Sequence, residues 1–155
     1  MNPTFKFDPS IQKDYQKIVA EGQQRRIAQA AVLRGQIVMF GTTDEYAIPA
    51  TLNAYPIGIA LNSVSAADIA AYTADINERH RVELSIGTIG YAPLLAGDAI
   101  VVTTGDFIKS DANGRGIPIA GDGTDWIVGK AFKNASGDGQ EFHILINLIP
   151  ATSRS

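Results

Sequence analysis

A chain of 155 residues with 45% hydrophobic content is sized for one domain with a sizeable core. Its formal net charge of -3, with Lys and Arg dispersed, offers no basic stripe for nucleic acid, and the absence of cysteine excludes disulfides, zinc thiolate sites and thiol catalysis. No stretch approaches the ~18 apolar residues of a membrane span, and Met1–Phe7 lacks the apolar run of a secretory signal, so no membrane partner and synthesis in a cytoplasm are expected.

Residues 1–22 read as an N-terminal arm with a short helix. Phe5 and Phe7 alternate with Lys6 and Asp8. Asp8-Pro9 suits a helix cap followed by Pro at the first helical position, and Ile11, Tyr15, Ile18 and Val19 fall on one helical face from about Pro9 to Ala20. Phe5, Phe7 and Tyr15 either fold back onto the core or anchor the arm on another chain; the second is the reading taken. Residues 23–34 satisfy helix propensity and strand logic alike, and a strand is expected there. Arg25-Arg26, within that segment, is with Lys17 the densest basic region.

Ile37–Phe40 is a short apolar run closed by Gly41-Thr42-Thr43-Asp44. Ala47-Ile48-Pro49 reads as a minor edge piece, because Pro49 has no N–H for a ladder. Ile57–Leu61 is another strand. Ser65-Ala66-Ala67-Asp68 has the form of a capping box, and Ile69, Tyr72 and Ile76 share one face of a helix over Ala66–Ile76. Val82, Leu84 and Ile86 alternate with polar residues. Ile89 and Tyr91 then sit on the other parity, which predicts a bulge at Gly87.

Farther on, Ala99–Thr103 and Phe107–Lys109 read as strands around a Thr104-Gly105-Asp106 turn, and Asp111–Gly114 as an Asn-Gly turn. Ile117-Pro118-Ile119 is expected at an edge. Trp126–Lys133 and Glu141–Ile149 are closing strands, and residues 150–155 a loose tail. Closely spaced strands with turn signals between them predict an all-β fold over residues 23–149, a small barrel or a sandwich, with one inserted short helix.

The C-terminal half resembles a second copy of the N-terminal half. Gly35-Gln36-Ile37-Val38 is matched to Gly97–Val101, Ile57–Asn62 to Ile127–Asn134, and Arg81–Ile86 to Glu141–Ile146. No step of this repeat brings a reactive group. His80 lies in a polar turn and His143 on an alternating strand, and no nucleophile and carboxylate gather near either. Asp111, Asn113, Asp122 and Asp125 lack the closing bidentate Glu of a calcium loop. The glycines at 114, 116, 121 and 123 precede no helix and no Lys-Ser/Thr pair, so they make no phosphate loop. The expectation is a non-enzymatic protein with no metal and no cofactor. Trp126 is equally suited to the core and to an interface. Tyr46, Tyr55, Tyr72 and Tyr91 would be the aromatic platforms of an alternative, a carbohydrate- or receptor-binding module.

The segments Ala96–Val102, Ile127–Ala131 and Glu141–Leu148, with Gly35–Val38 and Ile57–Ala60 upstream, resemble the capsid decoration (cement) proteins of tailed bacteriophages. The resemblance covers roughly residues 22–149. It implies a small β-barrel or β-tulip on the virion, bound to the exterior of the capsid, with the major capsid protein as partner and adjacent capsomers clamped together. A symmetric homotrimer is the expected assembly. The chain departs from the family in its N-terminal segment and in the insertion at Ala66–Asn77, and the family supplies no contact residues to carry over. Phe5, Phe7 and Tyr15 of the arm, with Arg25 and Arg26, are therefore the candidate capsid contacts.

Overall fold

The structure, a computed structural model, describes residues 23–52, 54–98, 101–119, 126–137 and 139–150. The expected arm helix, Phe5, Phe7, Tyr15, Ala99, Ile100, the stretch 120–125 and the tail beyond 150 lie outside the described residues.

The fold is all-β, as expected, and is built from two five-stranded units in tandem. The first contains β1 (Gln23–Ala28), β2 (Ile37–Phe40), β3 (Tyr46–Pro49), β4 (Gly58–Ala60) and β5 (Glu83–Gly87). These close into a barrel in the order β1-β3-β2-β4-β5. The second contains β6 (Gly90–Leu95), β7 (Phe107–Ser110), β8 (Gly116–Pro118), β9 (Trp126–Ala131) and β10 (Glu141–Pro150), in the order β6-β10-β9-β7-β8. Read around the barrel from β3, the first order becomes β3-β2-β4-β5-β1, which is the second order strand for strand.

The equivalence extends to single hydrogen bonds. Gly35 N–H donates to Ala60 O and Gly105 N–H to Ala131 O, both at 2.8 Å. Ala28 N–H donates to Val82 O and Ala96 N–H to Gln140 O, both at 2.9 Å. Val32 bridges Val64 as Val102 bridges Ala135. Leu33 N–H donates to the Gln36 side chain and Thr103 N–H to the Asp106 carboxylate. Gly58 and Gly129 also correspond. A Cβ at Gly58 would stand 2.3 Å from Gly87 O, and one at Gly129 would stand 2.2 Å from Leu145 O, so each β4-type strand needs glycine where the next strand crosses it.

This pattern corrects the repeat register. Ile86 pairs with Gln24 as Ile144 pairs with Ala92, so residues 81–86 correspond to 139–144 and not to Glu141–Ile146. Gly35-Gln36-Ile37-Val38 corresponds to Gly105-Asp106-Phe107-Ile108, and Gly97 to Gln29 instead. Around Gly97 only isolated bridges form, Ala96 to Gly116 and Val102 to Ala135, and described residues 101–103 make no strand.

Local chemistry explains most elements. In β10 the burial alternates, with Phe142, Ile144 and Ile146 inside and Glu141, His143 and Leu145 outside. β1 is a strand despite its helix-forming residues, because five consecutive partners on β5, from Gln23–Gly87 to Ile27–Glu83, fix it. It stops at Ala28, and Gln29–Arg34 is irregular apart from the Val32 bridge. β3 is not an edge piece: it lies between β1 and β2. Pro49 is tolerated because β1 reaches only Tyr46 and Ala47. β8, with Pro118, does lie at the edge of its sheet. The parity switch after Gly87 is no bulge. β5 ends there and β6 begins at Gly90, so the chain passes from one sheet to the other.

One helix, α1 (Ala66–Ala74), is inserted between β4 and β5. Ser65 accepts from Asp68 N–H, and the Asp68 carboxylate accepts from Ser65 N–H, which completes the capping box. The helix ends two residues before Ile76, which is exposed and begins a 3-10 helix at Ile76–Arg81. Asp75 takes an extended backbone between them, and its carboxylate accepts from Asn77 N–H.

Two cores result. Ala28, Val32, Val38, Ala47, Val64, Leu84 and Ile86 fill the first barrel. The second core contains Leu94, Ile108, Val128, Phe142 and Ile144, and it also takes in Ile37, Ala50 and Ile59 from the first unit. The outside of the first barrel is thus part of the inside of the second unit.

Candidate interaction surfaces

The junction between the units is a built protein–protein contact within one chain. In the first unit, Ile27 N–H donates to Glu45 O at 2.9 Å, and the β1–β3 seam is closed. The second unit keeps one step of that seam, the Ala96–Gly116 bridge with Gly97 N–H donating to Gly116 O at 3.0 Å, as Gln29 N–H donates to Ala47 O in the first; one step earlier its strands part, and residues of the first unit fill the gap. Leu95 N–H donates to Gly35 O at 2.9 Å, and Ile37 N–H donates to Gly114 O at 2.6 Å. The Gln36 side-chain amide donates to Asn113 O, and Arg34 pairs with Glu141 at 3.1 Å.

Across the first barrel, Gln23, Gly87, Ile59 and Ile37 form one transverse row, each in register with the next. Ile59 and Ile37 are 0% exposed, covered by the second unit. In the second unit the same row reads Tyr91, Leu145, Lys130 and Phe107. There it lies open: Tyr91 is 66% and Phe107 40% exposed. Tyr91 packs edge-to-face on Phe132 with ring centroids 5.0 Å apart, and the Lys130 ammonium lies 5.8 Å from the Phe107 ring centre. Sequence reading singled out Tyr91 alone among these. The available signal was the repeat itself: once Ile59 is aligned with Lys130, an interior position is seen to become a surface one.

Arg25 and Arg26 both lie on β1 and line a cleft of ≈ 330 Å³ with Ile27, Asp44, Glu45, Arg79 and Glu83. This is a mixed-charge surface, with the Arg25 guanidinium 3.9 Å from the Glu83 carboxylate. Arg26 is turned onto its own strand, donating to Arg25 O and to the Gln24 side chain, while its Nε is buried with no partner among the described residues. The four tyrosines are separated. Tyr46 and Tyr72 pack against the first core. Tyr55 is half exposed and stands edge-on to Trp126 at 4.5 Å, beside a cleft of ≈ 260 Å³ lined by Gln24, Arg26, Phe40 and Leu148. Trp126 itself is half-buried, between the two roles open to it.

His80 is exposed beside Glu78 at 3.7 Å, and His143 faces outward from β10. The Asp111 carboxylate accepts from Asn113 N–H and Arg115 N–H, both at 2.8 Å, so it holds the β7–β8 turn. Among the described residues no group of three or more His, Asp or Glu is placed to hold a metal ion. The Asp68 carboxyl is shifted by its surroundings. Hydrogen bonds from the Ser65 backbone and hydroxyl, with smaller help from Arg81, hold its carboxyl below the usual value.

No protein-family profile matches the chain, and no curated protein matches it. Among solved structures it resembles the N base of head fiber gp8.5 in bacteriophage phi29, with a TM-score of 0.57 and 15% identity over 81% of this chain and 92% of that chain. At that identity the likeness is one of fold.

Proposed function

We propose that the chain is a structural protein of a bacteriophage particle, seated on the capsid exterior, where it ties neighbouring major capsid protein subunits together without catalysis. The observation that carries this reading is the fold shared with the base of a phage head fibre over nearly the whole of that base. The resemblance to capsid decoration proteins points the same way. Physically, two β units packed in tandem suit adhesion, and many copies that each touch several subunits reinforce a shell with modest affinity per site. Self-association as a symmetric trimer belongs to the proposal. One observation favours a glycan-binding module instead: the half-exposed Tyr55 beside Trp126, over a cleft holding Gln24 and Arg26.

Particles made with and without the chain distinguish the two. On the cementing reading, particles lacking it open at lower temperature, and electron microscopy shows empty density on their outer surface. Particles that keep their heat resistance but lose adsorption to host cells would shift the assignment to glycan binding.

A further inference from the structure

The two units carry the same transverse row, and in the first unit that row is a protein interface. Ile59 and Ile37 are there fully covered by the second unit. In the second unit, Tyr91, Leu145, Lys130 and Phe107 are aligned on the outer face of four adjacent strands and nothing in the chain's described residues covers them. Phe132 and His143 extend the face, with Phe132 N–H bonded to His143 O. Aromatic residues are enriched in protein interfaces, and contiguous exposed apolar surface on a soluble domain marks a contact site.

Charge narrows the occupant. The chain as a whole is acidic, with net charge -3. Yet the row and its flanking positions Phe132 and His143 contain no carboxylate, while Lys130 brings a cation. Glu141, on the outward side of β10, is paired with Arg34. A further copy of this chain cannot repeat the intramolecular docking, because the seam that would receive Gly105–Phe107 is closed in the first unit by the Ile27–Glu45 hydrogen bond.

We infer that the outer face of the second unit, Tyr91–Leu145–Lys130–Phe107 with Phe132, is the docking surface for the capsid shell, meeting a protein surface that is part apolar and acidic. This rests on the structural role proposed above. Lys130 supplies a cation to a carboxylate of the shell, and the aromatic side chains supply the desolvated centre of the contact.

The test uses the full-length chain and empty shells assembled from the major capsid protein of the same phage genome. Affinity is measured for the wild type, Lys130→Glu, the double variant Tyr91→Ser/Phe132→Ser, and Tyr55→Ser as a control on a different surface. All four sites are solvent-facing, and thermal melting checks that each variant is folded. Lys130→Glu and the double variant should each weaken binding about 10-fold or more, with Tyr55→Ser within about twofold of wild type. Wild-type binding that survives both face variants overturns the assignment of this face and leaves the virion role standing. A wild type that does not bind the shells removes both. Two further results also overturn it: Lys130→Glu abolishing binding of a single-stranded oligonucleotide, which would make the face a nucleic-acid site, or abolishing self-association in sedimentation, which would make it a contact between copies.

Discussion

The first unit is a closed barrel, and the second repeats its strand order but is bridged across the seam only at Ala96–Gly116. At one seam Ile27 N–H finds Glu45 O within its own unit; at the other, Leu95 N–H finds Gly35 O in the neighbouring one. Many of the other backbone bonds have counterparts, such as Gly35 to Ala60 with Gly105 to Ala131. Two near-identical sets of local interactions therefore differ at one step of the seam, where a backbone N–H is satisfied equally well by its own unit or by the neighbouring one. The consequence is that the outer row of the first barrel becomes interior, while the same row in the second unit stays on the surface.

Matched substitutions at equivalent positions should break this asymmetry open. The largest difference is expected at Ile37 and Phe107. Ile37→Ala removes a fully buried side chain from the second core and should cost about 2–5 kcal/mol. Phe107→Ala, on the open face, should cost roughly 1 kcal/mol or less. Denaturant unfolding of both variants measures the gap, and equal losses would contradict the placement of Ile37 at the junction.

A smaller difference is expected at the paired glycines. Gly35 has φ +90 and Gly105 has φ +98, so alanine at either meets the left-handed penalty of about 1–2 kcal/mol. At Gly105 a Cβ finds open space. At Gly35 it would stand 3.1 Å from the Leu95 Cγ, across the junction. Gly35→Ala should therefore melt below Gly105→Ala, with the excess tracing the contact between units.

The smallest effect concerns the helix that only the first unit carries. Ser65 and Ser136 are equivalent, but Ser65 caps α1 while Ser136 holds a short turn through the Gln140 side chain. Ser65→Ala should cost about 1 kcal/mol. The Asp68 carboxyl has its folded-state pKa lowered by the Ser65 hydrogen bonds. Its contribution is accordingly present above the ordinary value of 3.8 and lost as pH falls from there through the lowered folded value. Stability measured through that acid range should decline less steeply in Asp68→Asn than in wild type.

Much of the strand pattern was legible in the residues, because alternation and turn chemistry act between near neighbours. Phe142-His143-Ile144 declared its two faces, Asp111–Gly114 its turn, and Ser65–Asp68 its helix start. The existence of a repeat was also legible, yet Gly97-Asp98 was matched to Gly35-Gln36 in place of Gly105-Asp106, since short Gly-led stretches look alike until their partners, Ala60 and Ala131, are known. β6 is not legible as a strand of its own, because Gly90, Ala92 and Pro93 dilute its pattern. Of the candidate contacts, Arg25 and Arg26 proved to sit among carboxylates, which lie far from them in sequence.

What the amino-acid order determined alone was the strand content, the turns, the capped helix and the doubling, all set by interactions spanning a few residues. The tertiary structure alone decided where the second seam parts to take in the first unit, and so which of two equivalent rows is buried. That choice depends on backbone groups about sixty residues or more apart, Gly35 with Leu95 and Ile37 with Gly114, and no local propensity encodes a partner at that distance.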